Sequence, residues 1–511
     1  MPNLEAVSKT LTKRLMTKYD LRILGHTKDG DVLSVSEEER THTHIIAGTG
    51  EGKSKHIEKN CQLDIDRIIK GKNEPGIALL DATDQASTAY SVLKYCIHRG
   101  YEKVCLIDPK HYDDYKRVAA INPFKYRSDL KWESISNINN TLQITSEIRD
   151  VSQTKRIQRY LRALLSVLWD AKCTLADVEY FTDLPNPLYA AKRKEILNKV
   201  DPSDRHRIIM EWGFKNFVTY RDFETTVRRV EDVLDEPLRT MFSHPVGINF
   251  AKLIRDGWIL LVNLDADGSL EPIHTRLLGT AIINEILGSI HRIRRRTPEW
   301  SKPYHLYIDE AADFANRKLG RVLSHKGKTG LKVTIAHQYF AQFEDKWVLD
   351  SITNNCKTKV MFDIEGPEDR DKMAKMFYGG EISIREAAFA NSDLPKQTMI
   401  YKAPKQKAIR YRHIDCITPP IPEKTVREFI KDKLLNFPWN YPVIEKTPVA
   451  YYQTQPITEQ EHESARRSHQ SSKKTSKATK KTPNPDTPPW AGGFEVLRED
   501  QISNPEDDKK Q

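Results

Sequence analysis

Residues 42–55 read HTHIIAGTGEGKSK, and this stretch decides the fold. A short β-type run at 42–46 delivers Ala47, Gly48, Thr49, Gly50, Glu51, Gly52, Lys53 and Ser54 in succession. Ile57, Cys61, Ile65 and Ile68 then recur at helical spacing. Glycines at alternate positions let successive backbone N–H groups turn inward as an anion nest without Cβ clashes. The start of the following helix adds its partial positive charge. A Lys-Ser pair at that point supplies an ammonium for the outer phosphates of a nucleotide and a hydroxyl for Mg2+. The stretch fits the pattern G-x-x-x-x-G-K-[ST] with Ala47 in the first place, a small perturbation at a strand end. A glycine-rich turn with an incidental Lys-Ser is the bland alternative. The strand before and the helix after argue against it. Gly48, Thr49, Gly50, Glu51, Gly52, Lys53, Ser54 and Lys55 are therefore expected to bind ATP.

A second stretch complements the first. Residues 304–311 read YHLYIDEA, a buried strand ending in paired carboxylates. Asp309 is expected to hold Mg2+ through water together with Ser54, and Glu310 to orient and polarise an attacking water. Residues 332–338, KVTIAHQ, form a further strand. In a parallel sheet its polar end would face the terminal phosphate, which makes Gln338 the candidate sensor and His337 a structural neighbour. Asp81 and Asp108 also end apolar runs; they would either face the nucleotide or a subunit boundary, or cap the helices that follow.

Apolar runs at 42–46, 76–80, 103–107, 258–264, 304–308, 332–336 and 359–362 alternate with helical patterns, as βα units of a parallel sheet do. Such near-continuous runs imply burial on both faces. Between about 137 and 255 the rhythm turns helical, with Ile157, Tyr160, Leu161, Leu164, Leu165 and Leu168 at helical spacing in 156–171, and further helices near 190–199 and 222–234. The expected architecture is α/β: a mainly parallel, RecA-like P-loop sheet flanked by helices over 1–136 and 256–420, interrupted by an all-helical domain over 137–255. The extension 421–511 is expected to be largely disordered from about 455. The stretch 464–482 (SARRSHQSSKKTSKATKKT) lacks the apolar surface needed to offset ordering entropy, and 483–489 continues it.

The chain has 511 residues and a formal net charge of +10, which favours partners that carry phosphate. Its six cysteines are scattered singly, without C-x-x-C spacing, so neither a zinc site nor a disulfide framework is suggested. Cys61, Cys96 and Cys105 read as core thiols. The first thirty residues lack the apolar core of a signal peptide, and no run approaches the ~18 apolar residues of a membrane span. The expected location is the cytoplasm, with recruitment to the inner membrane only through a partner.

With these residues assembled, the chain resembles the hexameric DNA-pumping ATPases of the HerA/FtsK superfamily, and within them the TraG/TraD type of type IV secretion coupling protein. The resemblance is carried in order by HIIAGTGEGKS (44–54); GIALLDATDQAS (76–87), VCLIDP (104–109) and AINPF (120–124); INFAKLIRDGWILLVNLDADG (248–268); and LYIDEAADF (306–314), IAHQYFAQF (335–343) and SITNNCKTKVMF (351–362), the last containing Asn355. It covers roughly residues 21–420 and implies a homo-hexamer with ATP at subunit boundaries and DNA, single- or double-stranded, in the central channel. It carries Lys53, Ser54, Asp309, Glu310 and Gln338 onto matching positions, and it implies secretion-channel or relaxase-like partners. Two departures stand out. Coupling proteins usually begin with transmembrane helices, and no such run occurs here. Where the family often supplies a trans-acting arginine, SHKGKTGLK (324–332) offers Lys326 and Lys328, which lack the guanidinium fork; Arg321 is the nearest arginine.

The function these readings imply is an ATP-driven DNA translocase of conjugative transfer or type IV secretion. A motor for DNA-end processing or genome packaging, and an ATP-dependent assembly scaffold, are the alternatives. Arg292, Arg294, Arg295 and Arg296 form a dense cationic run, either a DNA contact or a solvated helix end or subunit interface. The tail at 466–481 would serve as an electrostatic tether for nucleic acid, or simply as a solubilising linker.

Overall fold

The computed structural model describes residues 21–71, 76–83, 87–125, 127–145, 151–182, 186–215, 230, 235–265, 270–300, 302–324, 330–379 and 394–443. The expected helix at 222–234, apart from residue 230, lies outside these residues, as do Lys326, Lys328 and the tail beyond 443. The strands are β1 (Arg22–His26), β2 (Val32–Val35), β3 (Thr43–Ile46), β4 (Ile77–Asp81), β5 (Val104–Ile107), β6 (Arg117–Ala119), β7 (Ile259–Asn263), β8 (Tyr304–Ile308), β9 (Leu331–His337), β10 (Thr358–Met361), β11 (Thr398–Lys402), β12 (Ile409–His413) and β13 (Asn440–Pro442). Eleven of them make one sheet in the order β2-β1-β12-β11-β10-β3-β9-β8-β4-β7-β5. From β10 to β5 every neighbouring pair is parallel. These are the seven strands expected from the apolar runs, and the α/β fold class is borne out.

Strand alternation assigns each side chain to one of two cores. Ile77, Leu79, Ile45, Ala47, Tyr307 and Ala336 share a cluster with Ile57, Cys61 and Ile65 of helix Lys53–Ile69 and with Val92 and Leu93 of helix Ser87–His98. Ala78, Leu80, Leu306, Ile308, Val333 and Ile335 belong to the other cluster, under the long helix Pro272–Arg296. Leu161, Leu164, Leu165 and Leu168 of helix Val151–Asp170 lie in that same second cluster. The helices inserted between β6 and β7 thus bury their apolar stripe in a core continuous with the sheet.

Two features escape the apolar-run reading. β11, β12, β1 and β2 extend the sheet as an antiparallel ribbon. After residue 420, helix Glu423–Asp432 buries Val426 and Ile430, and β13 pairs antiparallel with β6. The chain therefore packs back on the sheet as far as residue 443.

The ribbon is stapled to the nucleotide-loop side by buried charge. Asp64 of helix Lys53–Ile69, wholly inaccessible, accepts from Arg22, from Arg40 Nη1 at 2.9 Å and 3.1 Å, and from the Tyr307 hydroxyl. Burial alone would raise Asp64, but Arg22, Arg40 and His305 hold it well below the ordinary carboxylate range. Removing one member of such a cluster leaves an uncompensated charge in a low-dielectric interior. Asp64→Asn, which leaves Arg22 and Arg40 with Glu37 as their remaining carboxylate in these ion pairs, should cost about 3–5 kcal/mol of folding free energy in chemical denaturation. Tyr307→Phe, which removes one neutral donor, should cost only about 1 kcal/mol.

Candidate functional site

β3 runs straight into the glycine turn, and the turn into helix Lys53–Ile69. Gly50 (φ 78°) and Gly52 (φ 115°) adopt left-handed backbones that side-chain-bearing residues rarely take. A Cβ on Gly52 would also sit 3.3 Å from the Phe362 ring. Gly48 donates its N–H to the Asp363 carbonyl at 2.7 Å, where a Cβ would crowd that oxygen at 3.1 Å. Ala47, the departure from the glycine pattern, is fully buried in the core, so its methyl is packed rather than in the way. No side chain caps the helix and no acid lies in its first turn, which leaves the first-turn N–H groups and the positive end of the dipole to an anion.

The acidic pair arrives from β8, two strands away. β9 lies between β3 and β8, with Ile46 opposite His337 and Ile308 opposite Ile335, so all three strands release their ends at one edge. Asp309 is wholly buried, and its N–H continues the β4 pairing by donating to Leu80 O at 3.0 Å. Lys53 Nζ stands 3.2 Å from Asp309 Oδ1 and donates to Glu310 Oε1. The Ser54 hydroxyl donates to Asp309 Oδ2 at 2.8 Å. Gln338 Nε2 donates to Glu310 Oε1 at 2.9 Å, while its Oε1 accepts from the Thr49 hydroxyl at 3.2 Å. Glu310 itself has a left-handed backbone (φ 51°), and its Oε2 is buried without a hydrogen-bond partner.

Lys53, Ser54, Thr49, Asp309, Glu310 and Gln338 are thus brought together. Lys55 is not: its ammonium turns along the helix to Glu58 Oε2 at 2.7 Å. The donor set suits a magnesium nucleotide. One hydroxyl and one carboxylate offer the hard oxygens that Mg2+ takes alongside water and phosphate. The left-handed glycines and Lys53 form a cradle for the phosphates. Glu310 Oε2, on the same carboxylate, is buried without a hydrogen-bond partner.

The other sequence candidates have structural partners. Asp81 accepts from Thr83 N at 3.0 Å, from the Thr83 hydroxyl and, at 2.7 Å, from Ala89 N in the first turn of helix Ser87–His98. Burial pushes Asp81 up to about 6 despite the Thr83 hydroxyl, with the charge of Asp309 adding to it. Asp108 accepts from Tyr90, Asn263 and Lys110 N. Both cap the segments that follow their strands. Within the arginine run, Arg292 pairs with Glu133 at 2.5 Å, Arg294 lies over the Trp300 ring, and Arg296 stands 3.9 Å from Asp129. Arg294, Arg295 and Arg296 form the last turn of helix Pro272–Arg296, where cations complement the dipole. Arg321 lies exposed on helix Arg317–Ser324. Sequence reasoning missed Gln342, whose Oε1 accepts from Gln338 N at 2.9 Å and Tyr339 N at 3.1 Å, and His44, whose Nε2 lies 2.7 Å from that of His337. The spacing of Gln338 and Gln342 is visible in the sequence, but a turn that folds back on itself is not.

Comparison with known proteins bears on the fold. Residues 303–400, from β8 into β11, match the family described as the TraM recognition site of TraD and TraG. No curated protein sequence matches the chain. Among solved structures, the unbound bacterial conjugative coupling protein TrwB is similar at TM-score 0.52 and 16% identity, over 81% of this chain and 94% of that one. TrwB in complex with the non-hydrolysable ATP analogue ADPNP is similar at TM-score 0.51 and 15% identity, over 76% and 89% of the two chains. VirB4 of Thermoanaerobacter pseudethanolicus is similar at TM-score 0.50 and 15% identity, over 78% and 96%. The resemblance to TraG/TraD-type P-loop ATPases drawn from the sequence is thus matched in the fold and in the segment 303–400. No helix among the described residues is long and apolar enough to cross a membrane.

Several imidazoles of the sheet and of helix Lys53–Ile69 are held neutral. Burial pushes His337 down to about 3, His42 and His413 to about 4, and His44 and His56 well below the usual value. Below pH 6.5 the unfolded chain protonates these histidines and the folded chain does not, so stability falls with pH. Each should cost about 1.4 kcal/mol one unit below 6.5. Asp81 works in the opposite sense, its protonation favouring the folded chain below about 6. Because the histidines outnumber it, denaturation midpoints should fall between pH 7 and pH 5.5. A flat profile over that window would place the imidazoles in contact with water.

Proposed function

We propose that this chain is a magnesium-dependent ATPase that couples hydrolysis to the movement of DNA, as a coupling-protein-like motor of conjugative transfer or type IV secretion. One observation carries the reading: Lys53, Ser54, Asp309, Glu310 and Gln338, from three strand ends, meet at a single point above a glycine nest. In this proposal the nest and Lys53 would hold the β- and γ-phosphates, and Ser54 and Asp309 would hold the magnesium ion. The ion, when bound, would draw charge off the phosphate oxygens. Glu310 orients the attacking water and accepts its proton, its free Oε2 being the acceptor for that role. Gln338 bridges Glu310 and Thr49 and so senses the terminal phosphate.

The net charge of +10 supports a polyanionic cargo, and the match to a TraM recognition site supports a partner within a DNA-processing complex. A ring of six with ATP at subunit boundaries, and recruitment to the inner membrane by a secretion channel or relaxase-like protein, complete the proposal. An ATP-dependent scaffold is the competing reading from another class; Glu310 speaks against it, since assembly alone needs no carboxylate aimed at a water. A motor for DNA-end processing or packaging would use the same site, and a neighbouring relaxase, nuclease or capsid gene would separate these uses.

Steady-state ATP hydrolysis, measured alone and with single- or double-stranded DNA, tests the reading. Strong stimulation by DNA is expected, and hydrolysis that ignores DNA would favour the scaffold. Lys53→Ala should abolish nucleotide binding or turnover. Glu310→Gln should bind ATP yet turn it over about 10²–10⁴-fold more slowly. Normal turnover in that variant would remove Glu310 from its role.

A further inference from the structure

Two buried imidazoles lie directly beneath the site and take no part in the chemistry proposed above. His44 on β3 and His337 on β9 are both wholly inaccessible, and their Nε2 atoms stand 2.7 Å apart. His337 Nδ1 lies 3.2 Å from the Tyr339 carbonyl, and Phe343 closes on the ring edge at 4.9 Å between centroids. A carbonyl can only accept, so Nδ1 of His337 carries the proton and its Nε2 offers a lone pair. The proton between the two rings must then belong to His44 Nε2, which leaves His44 Nδ1 a bare acceptor; that atom is buried without a partner. The chain of donation therefore has one direction: His44 to His337 to the Tyr339 carbonyl.

That carbonyl belongs to the turn that aims Gln338. Gln342 secures the turn through two of its N–H groups, and Asp369 Oδ2 accepts from Phe340 N at 3.1 Å. His337 grips the turn through the Tyr339 carbonyl, which also accepts from Gln342 N at 3.3 Å. We propose that His44 is a positioning residue for hydrolysis: its Nε2–H sets the His337 ring, the ring sets the Tyr339 carbonyl, and the turn so held points Gln338 at Glu310 and Thr49. The strand that enters the phosphate loop thereby governs the sensor across the strand boundary. This rests on the reading of Gln338 as sensor.

The test is a double-mutant cycle on full-length protein, reading kcat and KM for ATP. His44→Leu removes the donor, and His44→Asn keeps a planar amide that is too short to reach the Nε2 position. Both should lower kcat about ten- to a hundredfold with KM unchanged, as a small misplacement of a reacting group does. His44→Gln, whose amide N–H reaches that position, should recover most of the rate. In a Gln338→Ala background none of the three should cost anything further. Additive losses in that background, or a raised KM at unchanged kcat, would overturn the proposal while leaving the sensor intact. An unimpaired Gln338→Ala single variant would instead sink the sensor reading and this one with it. If His44→Leu does not fold, His44→Asn completes the cycle.

Discussion

The ammonium of Lys53 sits between two carboxylates that reach it from the far side of β9. Asp309 is removed from solvent altogether, and a buried carboxylate is tolerable only when paired and hydrogen-bonded. Lys53 and the Ser54 hydroxyl meet that need. The glycine turn and the acidic strand end therefore hold one another in place. β9 makes this possible by standing between β3 and β8 in parallel register and carrying Gln338 one residue beyond its end. Any rearrangement of those three strands would leave a charge unpaired in the interior.

Behind the site lies a second tier of polar contacts that ties strand to helix. Asp64, on the outer part of the helix that starts at Lys53, collects Arg22, Arg40 and Tyr307. Tyr307 belongs to β8, three positions before Glu310, so one cluster links the antiparallel ribbon, the phosphate-loop helix and the acidic strand. The His44–His337 pair does the same for β3 and β9. Polar clusters of this kind are costly unless fully partnered, and they define a single register where apolar packing would permit several.

The inserted helices and the segment 421–443 enlarge this frame without entering the site. Leucines 161, 164, 165 and 168 continue the core beneath helix Pro272–Arg296, and Lys125 pairs with Glu285 of that helix at 2.9 Å. Helix Glu423–Asp432 covers the opposite face beside helix Ser87–His98. With both faces covered, the strands can be apolar throughout, as parallel sheets require.

The seven parallel strands were legible because burial on both faces forces unbroken apolar runs, and the phosphate loop because its glycines obey a local backbone requirement. Lys53, Ser54, Asp309, Glu310 and Gln338 could be named for similar reasons, each lying at a strand end or helix start. The antiparallel ribbon was not legible: runs such as RILGH and VLSV are short and half-polar, and the pairing of β1 with β12 joins residues nearly four hundred positions apart. Nor could the sequence separate capping from catalysis for Asp81 and Asp108, since both follow apolar runs as Asp309 does. Their different fates depend on which strand lies beside which, and on whether Thr83 or Lys53 is within reach. Local backbone chemistry wrote the loop into the chain. Strand order, a property of the whole sheet, decided which carboxylate, which glutamine and which histidine would meet it.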